Sequence, residues 1–402
     1  MSPPSAAPRA PGSVLVALIV GQICLHSCMA GVRMAAPLQA LREHHAAWAV
    51  GLLLGLFAIA PVALALHAGR LADRLGYHRP MQIAVGLTVA GGALAFAATW
   101  LVPGWPALQF GTMCLAATLC GAGANYGLIT IQRSAGRTAR DATEMKRVFS
   151  WLGLAPALSN VAGPVLAGVL IDFGGFRAAF AALAALPLVG LWWARQVPRE
   201  ASAPVAPAHA AAGGSSLELL RTPGMVRLLA VNWLISASWD VHAFLVPILG
   251  HERGFSASAI GLVLGVFALA VSGVRLLIPV LAHHLREAQV LAAAMACTAV
   301  VFALYPFAAA SWQMATLAVL LGIALGSVQP MVMSTLHQIT PHHRHGEAIA
   351  LRSMTINFSS AVMPLLFGVL GATLGASTLF WLMGAAVGSG SWQALRVRVS
   401  NG

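Results

Sequence analysis

Six ionisable side chains lie inside otherwise apolar stretches of this sequence: His26, Arg33, Asp240, His242, Arg275 and, nearer the end of its stretch, Arg352. A charge held in hydrocarbon costs at least about 2.5–3.5 kcal/mol on insertion scales, so each such group is a candidate for function. Asp240 is the only acid among them. A carboxylate there can take up and release a proton, because desolvation disfavours its charged form and a nearby cation favours it. It can equally be a fixed ion-pair partner of Arg275 or Arg33. His26 is the other candidate proton carrier, since imidazole titrates near neutrality; against this stands a satisfied core histidine. Arg275 offers a planar fork that fits a carboxylate or a phosphate, or else is the counter-ion of Asp240. Arg33 can join that clamp or extend its head to the membrane surface. Arg352 reads as a solvated residue at a helix end.

Helical spacing organises these groups. Gln22, His26 and Arg33 are four and seven positions apart and share one face, while Asn232, Ser236 and Asp240 repeat every four residues beside Trp233 and Trp239. Ser272 and Arg275 share a face, as do Arg352, Thr355 and Ser359. Asn160, and Asn125 with Tyr126, add uncharged donors and acceptors. Candidate substrate contacts are therefore Arg275, Arg33, Gln22, Asn232, Asn160 and Asn125.

The elements that must carry these stripes follow from composition. The chain has 402 residues, 59% hydrophobic and 8% charged, whereas soluble domains run near 25% charged. A net charge of +12 would suggest nucleic acid in a polar protein, but here the basic residues cluster in short loops between apolar runs. About 20 residues cross a bilayer core as a helix. Twelve such segments are expected, at 13–40, 46–67, 81–102, 106–131, 148–172, 176–197, 225–249, 257–282, 288–309, 312–335, 347–371 and 376–395. The first continues to about Pro37, too long for a signal-peptide core. Cys24, Cys28, Cys114, Cys120 and Cys297 all sit in apolar runs without metal-site spacing and read as packing residues.

Of the 23 lysines and arginines, only Arg42, Arg177 and Arg253 fall on one side of this arrangement, three lie within spans, and the rest share the side that carries both termini. The positive-inside rule makes that side cytoplasmic. Residues 198–216, rich in Pro, Ala and Gly, read as a linker, which divides the chain into 1–197, a cytoplasmic connection 198–224 and 225–402. An internal repeat agrees: AVGLLLGLFAIA at 49–60 returns as AIGLVLGVFALA at 259–270, and Ser159, Pro164, Leu166 and Gly168 return as Ser359, Pro364, Leu366 and Gly368. Arg275 stands where the repeat would place Ala65.

The stretch Gly69-Arg70-Leu71-Ala72-Asp73-Arg74-Leu75-Gly76, read as a charge-dense loop in which Gly69 and Gly76 allow a sharp reversal, resembles the signature loop of the major facilitator superfamily. Tyr77 and His78 depart from it, standing where that family prefers basic residues. The resemblance implies an all-α membrane protein of twelve transmembrane helices in two pseudo-symmetric six-helix bundles. It implies a cavity lined by the first, fourth, seventh and tenth helices, with the second, fifth, eighth and eleventh contributing. It assigns Gly69, Asp73, Arg74 and Gly76 to gating, and notes that the second half has His283 at the place of Asp73. Ser159, Gly163, Pro164, Ala167 and Gly168 partly resemble a pattern associated with antiporters, although small residues also simply allow close helix packing. The group His337, His342, His343 and His345 fits metal binding or pH sensing, or a solvated loop. No nucleotide-binding or metalloprotease motif is present, and no cofactor or metal is expected. The expected protein is a monomeric, non-enzymatic secondary transporter in the inner membrane. Its partners are protons, lipid and a small organic, possibly anionic, substrate, with no nucleic acid. The alternatives are a drug or metabolite efflux antiporter whose arginines are structural, or a transport-dead receptor of the same fold.

Overall fold

The computed structural model of the protein describes residues 11–101, 105–138, 142–199, 216–281, 286–340 and 345–395. Every long element among them is an α-helix: α1 (Pro11–Arg42), α2 (Ala47–Leu75), α3 (His78–Ala98), α4 (Pro106–Thr138), α5 (Ala142–Ala194), α6 (Met225–Glu252), α7 (Ala257–Leu281), α8 (Glu287–Leu304), α9 (Ser311–Ile339), α10 (His345–Leu374) and α11 (Ala376–Leu395). Helices satisfy their own backbone groups, which lipid cannot do for them. Ten stretches of the described residues are long and apolar enough to cross a membrane. One of them, Leu154–Ala194, has 41 residues, twice the length a single crossing needs. Gly175, at φ 72° and ψ −179°, breaks α5 there, so α5 supplies the fifth and sixth crossings and α11 the twelfth.

The α2–α3 connection differs from expectation. α2 runs on to Leu75, so Gly69 lies inside a helix with open space beside it, and the reversal falls at Gly76, φ 68°. A side chain is strained in that backbone region, which is why one glycine suffices. Tyr77 then turns into the core, and the ring Nε2 of His78 lies 3.0 Å from the carbonyl of Val197. Arg74 is exposed; the side chains of Asp73, His337, His342, His343 and His345 lie outside what the structure describes, as do residues 200–215 of the expected linker.

α1 packs on α5, α3 on α4 and α5, and α2 on α4; in the second half α7 packs on α9, α8 on α9 and α11, and α6 on α10 and α11. Large apolar side chains remain exposed where lipid would cover them. Trp100, Trp105, Phe307 and Trp312 ring one end, with Trp192 and Trp392 at the other, the positions at which aromatic rings anchor spans to the interface. The three basic residues of the first end are tied down locally: Arg42 lies over Phe176, Arg177 over Trp100, and Arg253 donates to the carbonyl of Pro306.

Two seams join the halves, α2 against α10 and α5 against α7, both at the end that holds the α1–α2 turn. They are copies of one another. A Cβ on Gly51 would collide with the carbonyl of Pro364, and one on Gly261 with that of Pro164; Gly368 faces Ala47 and Trp48, and Gly168 faces Ala257 and Ser258. In lipid, where helices gain nothing from burying apolar surface, such close backbone contact is what holds them together. One seam carries an addition. The carboxylate of Asp172 accepts the backbone N–H of Ala257 at 3.0 Å and of Ser258 at 2.7 Å, capping α7 from the other half. A cap of this kind is worth about 1 kcal/mol, and Ala372 occupies the matching place in the other seam.

Replacing Gly261 by Val should therefore part the seam at this end. In a cysteine-free background with Ala268→Cys, the change is expected to raise labelling by a membrane-impermeant thiol reagent applied at the α1–α2 end. Unchanged labelling would show that the seam does not close that end.

Candidate functional site

Two adjoining cavities lie between the halves and share Asn160 and Trp239. The first, about 220 Å³, abuts the closed seam at Pro164 and Leu264 and is faced by His26, Arg33, His242 and Phe267. The second, about 290 Å³, is faced by Asp240, Arg275, Arg352, Asn232, Ser236 and Gln329. α6 stands between them. Asn232, Ser236 and Asp240 look into the second cavity from one stripe, whereas His242, two positions and about 200° further round the helix, reaches the first.

Asp240 is buried, 3% exposed, and Arg33 Nη2 approaches its Oδ1 at 4.0 Å. Ser359 donates to Oδ2 at 2.8 Å and Ser360 to Oδ1 at 3.3 Å. The carboxylate thus belongs to α6, its cation to α1 and its hydroxyl donors to α10. Arg33 is turned inward to this contact rather than extended to the membrane surface. Arg275 has no acidic partner among the described residues and opens into the same cavity as Asp240. Arg352 is no solvated end residue: it is 9% exposed and its Nε donates to Asn232 Oδ1 at 3.1 Å. Three guanidiniums and one carboxylate therefore face the two cavities together, an excess of positive charge in a low-dielectric setting that favours an anion.

The remaining expected residues divide. His26 and Asn160 line the first cavity, and Asn160 and Asn232 the second. Gln22 is buried outside both, its Oε1 without a hydrogen-bond partner among the described residues. Asn125 donates to the carbonyl of Pro61 at 3.4 Å, joining α4 to α2, and neither cavity has an α4 residue in its wall. His242, Trp239, Gln329 and Ser360 face this site although the polar stripes did not assign them. For His242 a signal existed, an ionisable residue in an apolar run, but it lay off the stripe through Asp240.

The family model described as Major Facilitator Superfamily matches residues 18–286 and 228–399, nearly the whole chain. The chain belongs to this superfamily. Its twelve-helix, two-bundle architecture is shared with solved transporters. A D-xylose–proton symporter superposes with a TM-score of 0.74 at 14% identity, covering 95% of this chain and 97% of the symporter. The nucleoside transporter NupG superposes with 0.73 at 13%, covering 96% and 99%. In sequence, the chain is 27% identical over 342 residues to the uncharacterized MFS-type transporter YhhS of Escherichia coli (strain K12), covering 83% of this chain and 79% of YhhS. It is also 27% identical over 350 residues to the class C tetracycline resistance protein of Escherichia coli, covering 84% of each. The protein is a multi-pass membrane transporter of this superfamily. Its seventh, eighth, tenth and eleventh crossings, α6, α7, α9 and α10, line the cavities together with α1 and α5. The partial antiporter pattern in α5 is packing surface on both sides: Gly163 abuts Ser27 and Gly31 of α1, Gly168 abuts α7, and Ser159 donates to the carbonyls of Ile23 and Ala155.

Two substitutions separate structural from free guanidiniums. Asn232→Leu strips Arg352 of a buried acceptor and should cost about 1.5–3 kcal/mol, read as a lower melting temperature of the purified protein. Arg275→Ala removes a side chain with no such partner and should leave stability within about 0.5 kcal/mol.

Proposed function

We propose that this transporter moves a small organic anion across the inner membrane together with protons, by rocking of the halves 1–197 and 225–402 about the two cavities, with both termini cytoplasmic and the chain acting as a monomer. The observation that carries this is the Arg33–Asp240 contact beside Arg275, which has no acidic partner among the described residues. A proton on Asp240 cancels its attraction for Arg33 and frees a second guanidinium for the substrate. Protonation and anion binding then favour each other, and by linkage each strengthens the other by the same factor. That is the logic of cotransport. Asn160 and Asn232 supply neutral hydrogen bonds along the way, His26 is a second place for a proton, and the α2–α3 connection with Gly69, Asp73, Arg74 and Gly76 gates the opposite end.

A second reading, export of a cationic drug by exchange with protons, is favoured by the likeness to the tetracycline resistance protein. There the carboxylate would attract the cation, and substrate and proton would compete for Asp240.

Proton counting separates the two. Substrate binding to the purified protein in weak buffer near neutral pH is expected to take protons up; release of protons on binding would instead support exchange. Asp240→Asn should abolish uptake driven by a pH gradient in proteoliposomes while leaving counterflow, and Arg275→Ala should raise the substrate KM about tenfold or more. Gradient-driven transport surviving in Asp240→Asn would end the assignment to that residue.

A further inference from the structure

Outside the charge pair, the most constrained polar group facing the site is His242. Its ring is 1% exposed, lies over Phe267 with centroids 4.2 Å apart, and borders the first cavity. Its Nδ1 is 3.2 Å from the hydroxyl of Tyr305. Tyr305 is fully buried in the 3-10 turn after α8, with its ring stacked on Phe380 at 4.7 Å and 4°. Nδ1 is the sole hydrogen-bond partner of that phenol among the described residues. A buried O–H with a single neighbour donates to it. Nδ1 is then the acceptor, which places the ring hydrogen on Nε2.

Nε2 has no hydrogen-bond partner among the described residues. The Nε of Arg33, facing the same cavity, also has none. Both are donors. A buried donor without an acceptor is destabilising, and both donors belong to side chains that border the first cavity, so an oxygen brought against them there would satisfy them. The second cavity already presents Arg275 and Arg352 for an anionic group, and Trp239 forms a wall common to both.

We infer that His242 is a specificity-determining contact whose Nε2–H meets an oxygen acceptor on the substrate, so that the transported molecule is an organic anion with a carbonyl or comparable oxygen remote from its anionic group. Tyr305 acts as a positioning residue that fixes the tautomer without touching the ligand. The inference rests on the organic-anion reading above and adds the second group to it.

The test compares two acids of the same skeleton, benzoylbutyrate and phenylpentanoate, by titration calorimetry on the purified full chain in nanodiscs. Benzoylbutyrate is expected to bind about tenfold or more tighter, the worth of one well-made buried hydrogen bond. That ratio should fall to near unity in His242→Phe and to a few-fold in Tyr305→Phe, where Nδ1 is released and the tautomer is no longer fixed. A merely structural role for either residue would weaken both acids alike and leave the ratio unchanged, which would overturn the inference. Equal binding of both acids to the wild-type protein would overturn it too, while leaving the organic-anion reading intact. If His242→Phe does not fold, Tyr305→Phe and the wild-type ratio still decide. Binding of neither acid, with binding of tetraphenylphosphonium, would remove the organic-anion reading and this inference with it.

Discussion

An acid kept in the middle of a membrane protein must find its compensation within reach, and the way Asp240 finds it organises this molecule. Its cation comes from α1 and its hydroxyl donors from α10, so the stabilisation of one buried charge is drawn from both halves of the chain. Any rocking of one half against the other must alter the Arg33–Asp240 separation, already at 4.0 Å. At an effective dielectric of about 20, a change of a few ångströms in such a pair is worth about 2 kcal/mol, on the scale of the differences that shift conformational populations. Protonation and rocking therefore act on the same interaction.

The seams at the closed end show the opposite economy. They contain almost no charge and rely on glycine and proline backbone meeting at van der Waals distance, twice over. Contacts of that sort can be made and broken without desolvating polar groups, which suits surfaces that must separate. Asp172 adds an electrostatic element, and it binds backbone N–H groups at a helix start. The closed end is thus held by many weak apolar contacts with directed polar ones among them.

The fold was legible because the bilayer imposes a length and a polarity on each crossing, and the glycines of the repeat reappear as the paired seams: Gly51 with Gly261, Gly168 with Gly368. The polar stripe Asn232–Ser236–Asp240 was legible for the same reason, since helical spacing decides which residues share a face. What spacing could not settle was partnership. Which arginine Asp240 faces depends on how α1 leans toward α6, and that is set by packing across the halves. Asn125 looked like a cavity residue, but the carbonyl of Pro61 on α2 takes its amide. Gly69 was read as a turn because its neighbours are charged, yet six further residues continue the helix before the geometry demands positive φ at Gly76. Tyr305 lies 63 residues from His242, a distance over which no local pattern could join them.

Duplication and departure from it have separate tasks here. The seams keep the repeat because a hinge needs two matching surfaces, and a change on one side must be answered on the other. The cavity abandons it: Arg275 faces the site where its counterpart is Ala65, and the ring of His242 is held by a tyrosine beside Pro306. An asymmetric substrate offers its polar groups in one orientation, so a symmetric cavity would bury a second set of unmatched donors at a cost and with no ligand group to meet them. Symmetric mechanics around an asymmetric centre follows from those two requirements, and on the function proposed above it places the residues that would choose the substrate among those that break the repeat.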